Sequence, residues 1–186
     1  MKFPYVQRGF LSQSHCEQLK NWAVESNQWE VNGDAVWDQR FIGLASMVPE
    51  IQTQLLNIRR QVVKIIQDQW NYPDPLYSDI FGFCRWSEGN CIDPPHADAQ
   101  QPDGSPHPFH WREFASIVYL NSDYQGGELH FPKFNQYQPA LEPGTLIIFP
   151  SSLDYLHGVR IITSGVRHTI AGFFTGQQAY GDSYPI

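Results

Sequence analysis

The sequence has 186 residues, a length typical of one domain, and 41% of them are hydrophobic and 15% aromatic. These fractions exclude a disordered chain and indicate a packed globular protein. The formal net charge of -7 disfavours nucleic acid as a partner, because the cations do not cluster and the longest basic run is the pair Arg59-Arg60.

The cellular location is predicted from the apolar runs, the first residues and the cysteines. No apolar run approaches the ~20 residues that a membrane span needs, so we expect no membrane partner. The first residues lack the apolar core of a secretory signal. The chain has three cysteines, Cys16, Cys84 and Cys91. Their odd number and the lack of CxxC spacing indicate reduced thiols. We therefore expect a cytoplasmic protein, and the sequence leaves its oligomeric state open.

The first third of the chain is predicted to be helical, with a first helix that begins near Ser14. Ser14 and Glu17 have the spacing of a capping box at its start. Leu19, Trp22 and Ala23 then give the helix an apolar face.

A second helix is predicted to begin at Pro49 and to end near Asn71, before Pro73. Its apolar stripe has helical spacing over four turns, and we assign it to core packing. The stripe consists of Ile51, Leu55, Ile58, Val62 and Ile65.

The remainder is predicted to form strands, because segments rich in β-branched and aromatic residues alternate with turn signals. These segments are Ile80–Trp86, Phe114–Leu120, Glu128–Phe131, Thr145–Phe149 and Val166–Phe174. Many short strands after helices predict a β-sandwich or barrel backed by helices. The polar loop at 99–113 and the segment Asn32–Gly43 are candidates to frame the mouth of a site, with ordinary surface loops as the alternative.

His96 is the informative histidine among the seven, because Asp98 follows it by two residues. On an extended chain such residues point to the same face, so the imidazole and the carboxylate can bind one metal ion. His157 lies just past the strand Thr145–Phe149 and offers a third ligand. Two histidines and one carboxylate form the facial triad of non-haem iron oxygenases. An isolated His-x-Asp pair, however, is more often structural.

Arg167 lies ten residues after His157 and begins the last predicted strand, on the same face as Thr169, Ala171 and Phe173. Burying an arginine without an anion is unfavourable, and its planar guanidinium matches a carboxylate with two hydrogen bonds. A surface arginine at the end of a strand is the alternative.

Several motifs follow one another in a defined order over about half of the chain. They are Arg85-Trp86-Ser87-Glu88-Gly89, Pro95-His96-Ala97-Asp98, Ser116–Asn121, Tyr124–Phe131, Glu142–Phe149, His157-Gly158-Val159 and Gly165-Val166-Arg167-His168. In order and spacing this stretch resembles the catalytic core of the prolyl 4-hydroxylase-like branch of the iron(II)/2-oxoglutarate-dependent dioxygenase superfamily.

The resemblance implies a mainly β (α+β) fold, with a double-stranded β-helix (jelly roll) core and N-terminal supporting helices. It also implies one domain over residues 1–186, with about 1–79 as the helical support region and about 80–176 as the jelly-roll catalytic core. His96, Asp98 and His157 match the family's iron ligands. Arg167 matches the residue that binds the distal carboxylate of 2-oxoglutarate, and Tyr119 lies on the strand that supplies a helper hydroxyl. A plain core tyrosine is the alternative for Tyr119.

The implied activity is hydroxylation of an unactivated C–H bond, with release of succinate and CO2. The implied cofactor is Fe(2+), the co-substrates are 2-oxoglutarate and O2, and ascorbate is an optional addition. The substrate is left open between a peptide or protein, such as one with a peptidyl proline, and a free small molecule.

Two positions depart from the family pattern. The family often has a tyrosine a few residues before His-x-Asp, where this chain has Cys91–Pro95 without a hydroxyl group. Many prolyl hydroxylases have lysine where Arg167 stands, and arginine occurs in other branches.

Three alternative functions remain at this point. A non-catalytic jelly-roll binding module would need neither the intact triad nor Arg167. A nucleic-acid demethylase of the same superfamily is disfavoured by the acidic charge. It remains an alternative because the chain has the tryptophans Trp37, Trp86 and Trp111. A halogenase would need a small residue in place of Asp98.

Overall fold

The computed structural model describes residues 2–31, 33, 37–73, 75–138 and 142–184. The segment Asn32–Gly43, a candidate for the mouth of the site, therefore lies partly outside the described residues. None of the helices within the described ranges is long and apolar enough to cross a membrane.

The first α-helix, α1, spans Gln13–Glu25 and begins earlier than predicted. The hydroxyl of Ser12 caps it by accepting a hydrogen bond from the backbone N–H of His15 at 3.2 Å. The capping box predicted for Ser14 and Glu17 is therefore wrong, because Ser14 already lies inside the helix. The predicted apolar face is correct, since Leu19 and Ala23 are buried.

The second α-helix, α2, spans Pro49–Trp70, and its left-handed C-cap is Asn71, as predicted. The buried stripe ends at Ile66 rather than at Ile65, which is only half-buried. The apolar residues that α2 buries are Ile51, Leu55, Ile58, Val62, Val63 and Ile66.

The described residues contain eleven β-strands, and all their pairings are antiparallel. They are β1 Tyr5–Gln7, β2 Phe41–Gly43, β3 Tyr77–Ser87, β4 Ile92–His96, β5 Phe114–Tyr119, β6 Gln125–Gly126, β7 Leu129–His130, β8 Leu146–Pro150, β9 His157–Val159, β10 Ile162–Ser164 and β11 Val166–Thr175. The five predicted strands correspond to β3, β5, β7, β8 and β11. The sequence missed the others: five of them have only two or three residues, too few for a periodic signal, and β4 is interrupted by Pro94 and Pro95.

Two sheets face each other, and the helices cover the outer side of the larger one. The large sheet has the order β1-β8-β5-β11-β3-β2, the small sheet has the order β4-β9-β7, and β10 pairs with β6. Ile170 and Phe174 of β11 pack with α1 and α2 in one core cluster. Tyr119 of β5 packs with Leu129 and Val159 of the small sheet in a second cluster. This arrangement confirms the predicted mainly β jelly-roll core with supporting helices.

The N-terminal region contributes more than helices to this fold. Strands β1 and β2 are the two edge strands of the large sheet, although both precede residue 79. The division into a support region at about 1–79 and a catalytic core at about 80–176 stays a prediction.

A buried ion pair connects α2 to the segment that follows β11. Arg59 is fully buried, and its Nη1 donates to Asp182 Oδ2 at 2.6 Å. Its Nη2 donates to the backbone carbonyl of Tyr184 at 2.9 Å. Burial lowers the pKa of Arg59, and the charge of Asp182 offsets part of this effect.

Replacing Arg59 by alanine should lower the free energy of unfolding by about 3–5 kcal/mol, because Asp182 loses its partner and a space opens beside α2. Arg60 is the matched control, since it is exposed and contacts Asn57. Arg60→Ala should change the free energy by no more than about 0.5 kcal/mol. Urea unfolding followed by tryptophan fluorescence measures both, and equal losses would contradict a special role for the buried pair.

Candidate active site

The pairing of β4 with β9 brings two histidines together. His96, the last residue of β4, is the direct partner of His157, the first residue of β9, and their ring centroids are 4.5 Å apart. Asp98 Oδ1 lies 3.5 Å from His96 Nε2 and 3.8 Å from His157 Nε2. One ligand atom from each residue lies within 4.8 Å of the others. The structure thus brings together the three residues that the sequence predicted as metal ligands.

Burial and neighbouring charges put His157 and Asp98 in the protonation states that binding of a cation requires. Burial lowers the pKa of His157 to about 4, so its imidazole is neutral near pH 7. His157 Nδ1 lies 3.1 Å from the backbone carbonyl of Tyr155, and donation to that carbonyl leaves the Nε2 lone pair for a metal. Burial acts to raise the pKa of Asp98, but His157 and His96 outweigh it and hold the pKa below its usual range.

The remaining atoms of the triad also fit a bound cation. Asp98 Oδ2 is buried and has no hydrogen-bond partner among the described residues. Two imidazole nitrogens and one carboxylate are the donor set that suits iron(II) with open coordination positions. A metal ion would satisfy the carboxylate that the protein leaves without a partner.

Arg167 and the triad line one cavity between the two sheets. The cavity contains about 540 Å³ of empty space, part of which is open to solvent. Its other walls are mainly apolar. Thr169, Ala171 and Phe173 line it together with Arg167, so the inward face predicted for the last strand is correct.

The guanidinium of Arg167 is buried with unused donors. Its side chain is 2% exposed, and its Nη2 donates to the hydroxyl of Tyr119 at 3.2 Å. Its Nε has no hydrogen-bond partner in the described part of the chain. A buried guanidinium in this state is suited to bind an anion, and the planar group matches a carboxylate.

The other histidines lie outside the metal-binding group. His130 and His168 are buried, and burial lowers the pKa of His168 to about 4. His168 follows Arg167 on β11 and therefore points to the opposite side of the sheet, as predicted. His107 lines a second cavity.

This second cavity, the outer cavity, adjoins the triad and also contains His96 and Asp98 in its wall. It holds about 1080 Å³ of empty space, part of it open to solvent. The loop at 99–113 contributes His107, Phe109 and Arg112 to the wall, which confirms that this loop frames the mouth.

Arg112 is a polar residue of the outer cavity that the sequence analysis missed. Its Nε donates to Asp79 Oδ2 at 2.8 Å, and Trp111 Nε1 donates to the same oxygen at 3.1 Å. The guanidinium carbon lies 4.1 Å from the ring centroid of Phe109 and 3.8 Å from that of Phe173. These contacts fix the guanidinium and leave its Nη groups for a ligand. The sequence gives no signal for this site, because Phe173 and Asp79 are distant along the chain.

Comparison with known proteins identifies the family. Residues 82–175, just over half of the chain, match the 2OG-Fe(II) oxygenase superfamily, and the chain belongs to it. Its cofactor is iron(II), and its co-substrates are 2-oxoglutarate and O2. The unpartnered oxygen of Asp98 and the unpartnered Nε of Arg167 fit this requirement for a metal ion and a dicarboxylate.

The chain is also similar to prolyl 3-hydroxylases. It is 33% identical to prolyl 3-hydroxylase 1 of Mus musculus, with 91% of this chain and 28% of that protein aligned. It is 30% identical to prolyl 3-hydroxylase 2 of Homo sapiens, with 49% of this chain and 13% of that protein aligned. The chain thus spans less than a third of the length of these relatives.

Two solved structures share the fold. The viral collagen prolyl hydroxylase of Paramecium Bursaria Chlorella virus-1, in complex with 2OG, has a TM-score of 0.72 and 18% identity, covering 95% of this chain and 97% of that one. A Pseudomonas putida prolyl-4-hydroxylase has a TM-score of 0.66 and 16% identity, covering 94% and 92%. At these identities the likeness is one of fold, and it supports the jelly-roll architecture.

Replacing Asp98 by alanine should abolish tight binding of iron(II) or manganese(II), because it removes the one anionic member of the triad. His107→Ala is the control, since His107 lines the outer cavity but lies outside the metal-binding group, and this variant should bind metal normally. Anaerobic titration with manganese(II), followed by electron paramagnetic resonance, measures both. Metal binding that survives in Asp98→Ala would show that the ligand set is wrong.

Replacing Arg167 by alanine should weaken 2-oxoglutarate binding by at least about a hundredfold, since losing the partner of a buried charge costs about 3–5 kcal/mol. Arg167→Lys should retain part of the affinity, because the charge remains and only the planar group is lost. Arg160 is exposed, and Arg160→Ala should change little. The measurement is the anaerobic dissociation constant with manganese(II) present. A large loss in Arg160→Ala with none in Arg167→Ala would reverse the assignment.

Proposed function

We propose that this chain is a hydroxylase that couples oxidative decarboxylation of 2-oxoglutarate to hydroxylation of an unactivated C–H bond. One atom of O2 enters the hydroxylated product and the other enters succinate, with release of CO2. The proposal rests on one observation: the candidate ligands His96, Asp98 and His157 line the same cavity as Arg167. A non-catalytic binding module has no need for both groups in one cavity.

In this proposal, two groups of residues in the cavity bind the metal ion and 2-oxoglutarate respectively. His96, Asp98 and His157 hold iron, and the bound iron supplies the oxygen chemistry. Arg167, with the Tyr119 hydroxyl, would bind the distal carboxylate and so orient 2-oxoglutarate in the cavity. The apolar walls exclude water from the space between these two ends.

We further propose that the substrate is a residue of a peptide or protein, with a prolyl residue as the first candidate. Trp37, Phe109 and Phe173 give the outer cavity aromatic walls, and all three also line a neighbouring groove that extends to Phe41 and Ile80. Connected open grooves suit an extended chain, whereas sites for small molecules enclose most of the ligand. The similar proteins reported above are prolyl hydroxylases, which supports this choice.

We also propose that the chain forms one domain, that it functions in the cytoplasm and that it does not bind nucleic acid. Free thiols at Cys16, Cys84 and Cys91 support a reducing compartment. The net charge of -7 argues against nucleic acid, which also disfavours the demethylase alternative.

The test measures succinate formation by the purified chain with iron(II), 2-oxoglutarate and O2. Three candidate substrates are compared: prolyl peptides, the same peptides with alanine in place of proline, and free proline. We expect prolyl peptides to stimulate succinate formation and to gain one oxygen atom, detected by mass spectrometry. Asp98→Ala should form no succinate. Stimulation by free proline alone would overturn the peptide substrate, and the absence of any metal-dependent 2-oxoglutarate turnover would overturn the hydroxylase.

Arg112 should contribute to binding of the peptide and not of 2-oxoglutarate. The double variant Asp79→Asn/Arg112→Gln avoids leaving a buried carboxylate unpaired, and it should raise the KM of the peptide by about tenfold or more through loss of a hydrogen bond from a charged donor. Arg85→Gln is the control, because Arg85 stacks on Trp29 and does not line the cavity. An unchanged peptide KM in the double variant would contradict this role.

A further inference from the structure

Tyr124 carries a buried hydroxyl that none of the roles described so far uses. It lies between β5 and β6, and its oxygen is shielded from solvent without a hydrogen-bond partner among the described residues. Burial raises the pKa of Tyr124, and the charge of Arg167 offsets part of this rise, so the group is a neutral donor near pH 7. A buried donor without an acceptor is unfavourable for the ligand-free protein, and it requires an explanation.

A glycine turn holds the Tyr124 ring close to the Arg167 side chain. Gly127 has φ 69°, and a Cβ placed there would lie 3.3 Å from Arg167 Cδ and 3.3 Å from Tyr124 Cε2. Both side chains therefore pack against Gly127, and they do so where any larger residue would have its Cβ atom. At Gly165, with φ 78°, a Cβ would lie 3.0 Å from Tyr124 Cα, so the backbone around Tyr124 is also closely packed.

Three donors meet at this point without a shared acceptor, because Arg167 interacts electrostatically with both Tyr119 and Tyr124. Arg167 Nε has no partner in the described part of the chain, and neither has the Tyr124 hydroxyl. The Tyr119 hydroxyl accepts from Arg167 Nη2, which leaves its own proton to donate. A carboxylate has two oxygens with several lone pairs, and it can accept from all three groups at once.

From this geometry we infer that the Tyr124 hydroxyl is a third donor to the distal carboxylate of 2-oxoglutarate, beside Arg167 and Tyr119. The inference rests on the proposed role of Arg167. It explains why the protein keeps a phenol where phenylalanine would fill the same space without an unsatisfied atom. It also makes Tyr124 a specificity residue, because a 2-oxo acid without a distal carboxylate leaves the buried hydroxyl unpaired.

The test uses Tyr124→Phe and two ligands of equal chain length, 2-oxoglutarate and 2-oxopentanoate, which lacks the distal carboxylate. Calorimetry under anaerobic conditions with manganese(II) gives both dissociation constants. We expect 2-oxoglutarate to bind at least about tenfold more weakly, since a hydrogen bond to a charged group is lost, while 2-oxopentanoate is unaffected. The Tm of the ligand-free variant should equal or exceed that of the wild type, because the deleted oxygen had no partner. Tyr184→Phe, whose hydroxyl contacts Gln52 far along the chain, is the matched control and should leave both constants unchanged.

The outcomes separate this inference from the proposed function. If wild type and Tyr124→Phe bind 2-oxoglutarate equally, the Tyr124 assignment is overturned and the hydroxylase proposal stands. A parallel loss of affinity for both ligands, or a lower Tm of the ligand-free variant, would show a structural role instead and also overturn it. If the wild type with metal binds no 2-oxoglutarate, both proposals fail.

Discussion

The alternation of side chains along β11 is the constraint on which the rest of the structure depends. This strand is hydrogen-bonded on both sides, to β3 and to β5, so its register cannot change without breaking the large sheet. Ile170 and Phe174 point to the helices, while Arg167 and Thr169 line the cavity. A shift by one residue would put Arg167 into the helical core and His168 into the cavity. The anion site is therefore fixed by apolar packing on the opposite side of the sheet.

The inner cavity, which is the one that Arg167 and the triad line together, contains few charged groups, and they lie apart from one another. Asp98 belongs to the candidate metal site, and Arg167 lies among apolar walls and two phenols. Such groups destabilise a ligand-free protein, because each carries polar atoms that the chain itself leaves without partners. The site is thus prepared for ligands at a cost in folding stability, and the large apolar clusters on either side of the large sheet compensate for it.

The sequence predicted those features whose signal is local. The spacing of His96 and Asp98 indicated a shared face, and Pro49 together with the apolar stripe located α2. The prediction of Ser14 as the helix cap was wrong, because Ser12, which suits that position equally well, caps the helix instead. The pairing of β4 with β9 could not be predicted, since a strand of three residues has no periodic pattern and its partner is distant in sequence. Tyr124 and Arg112 were missed for a similar reason, because their roles depend on neighbours from distant strands.

The arrangement of the two cavities has a kinetic consequence. They meet at the triad, where His96, Asp98 and Phe173 belong to the walls of both. Of these two cavities, Arg167 lines the inner one and not the outer, whereas Arg112 lines the outer one and not the inner. We therefore infer that a molecule in the outer cavity covers the way past the metal ligands to Arg167. On this inference we expect the dicarboxylate to bind first, and an excess of the second ligand to inhibit the protein by closing an inner cavity that is still empty.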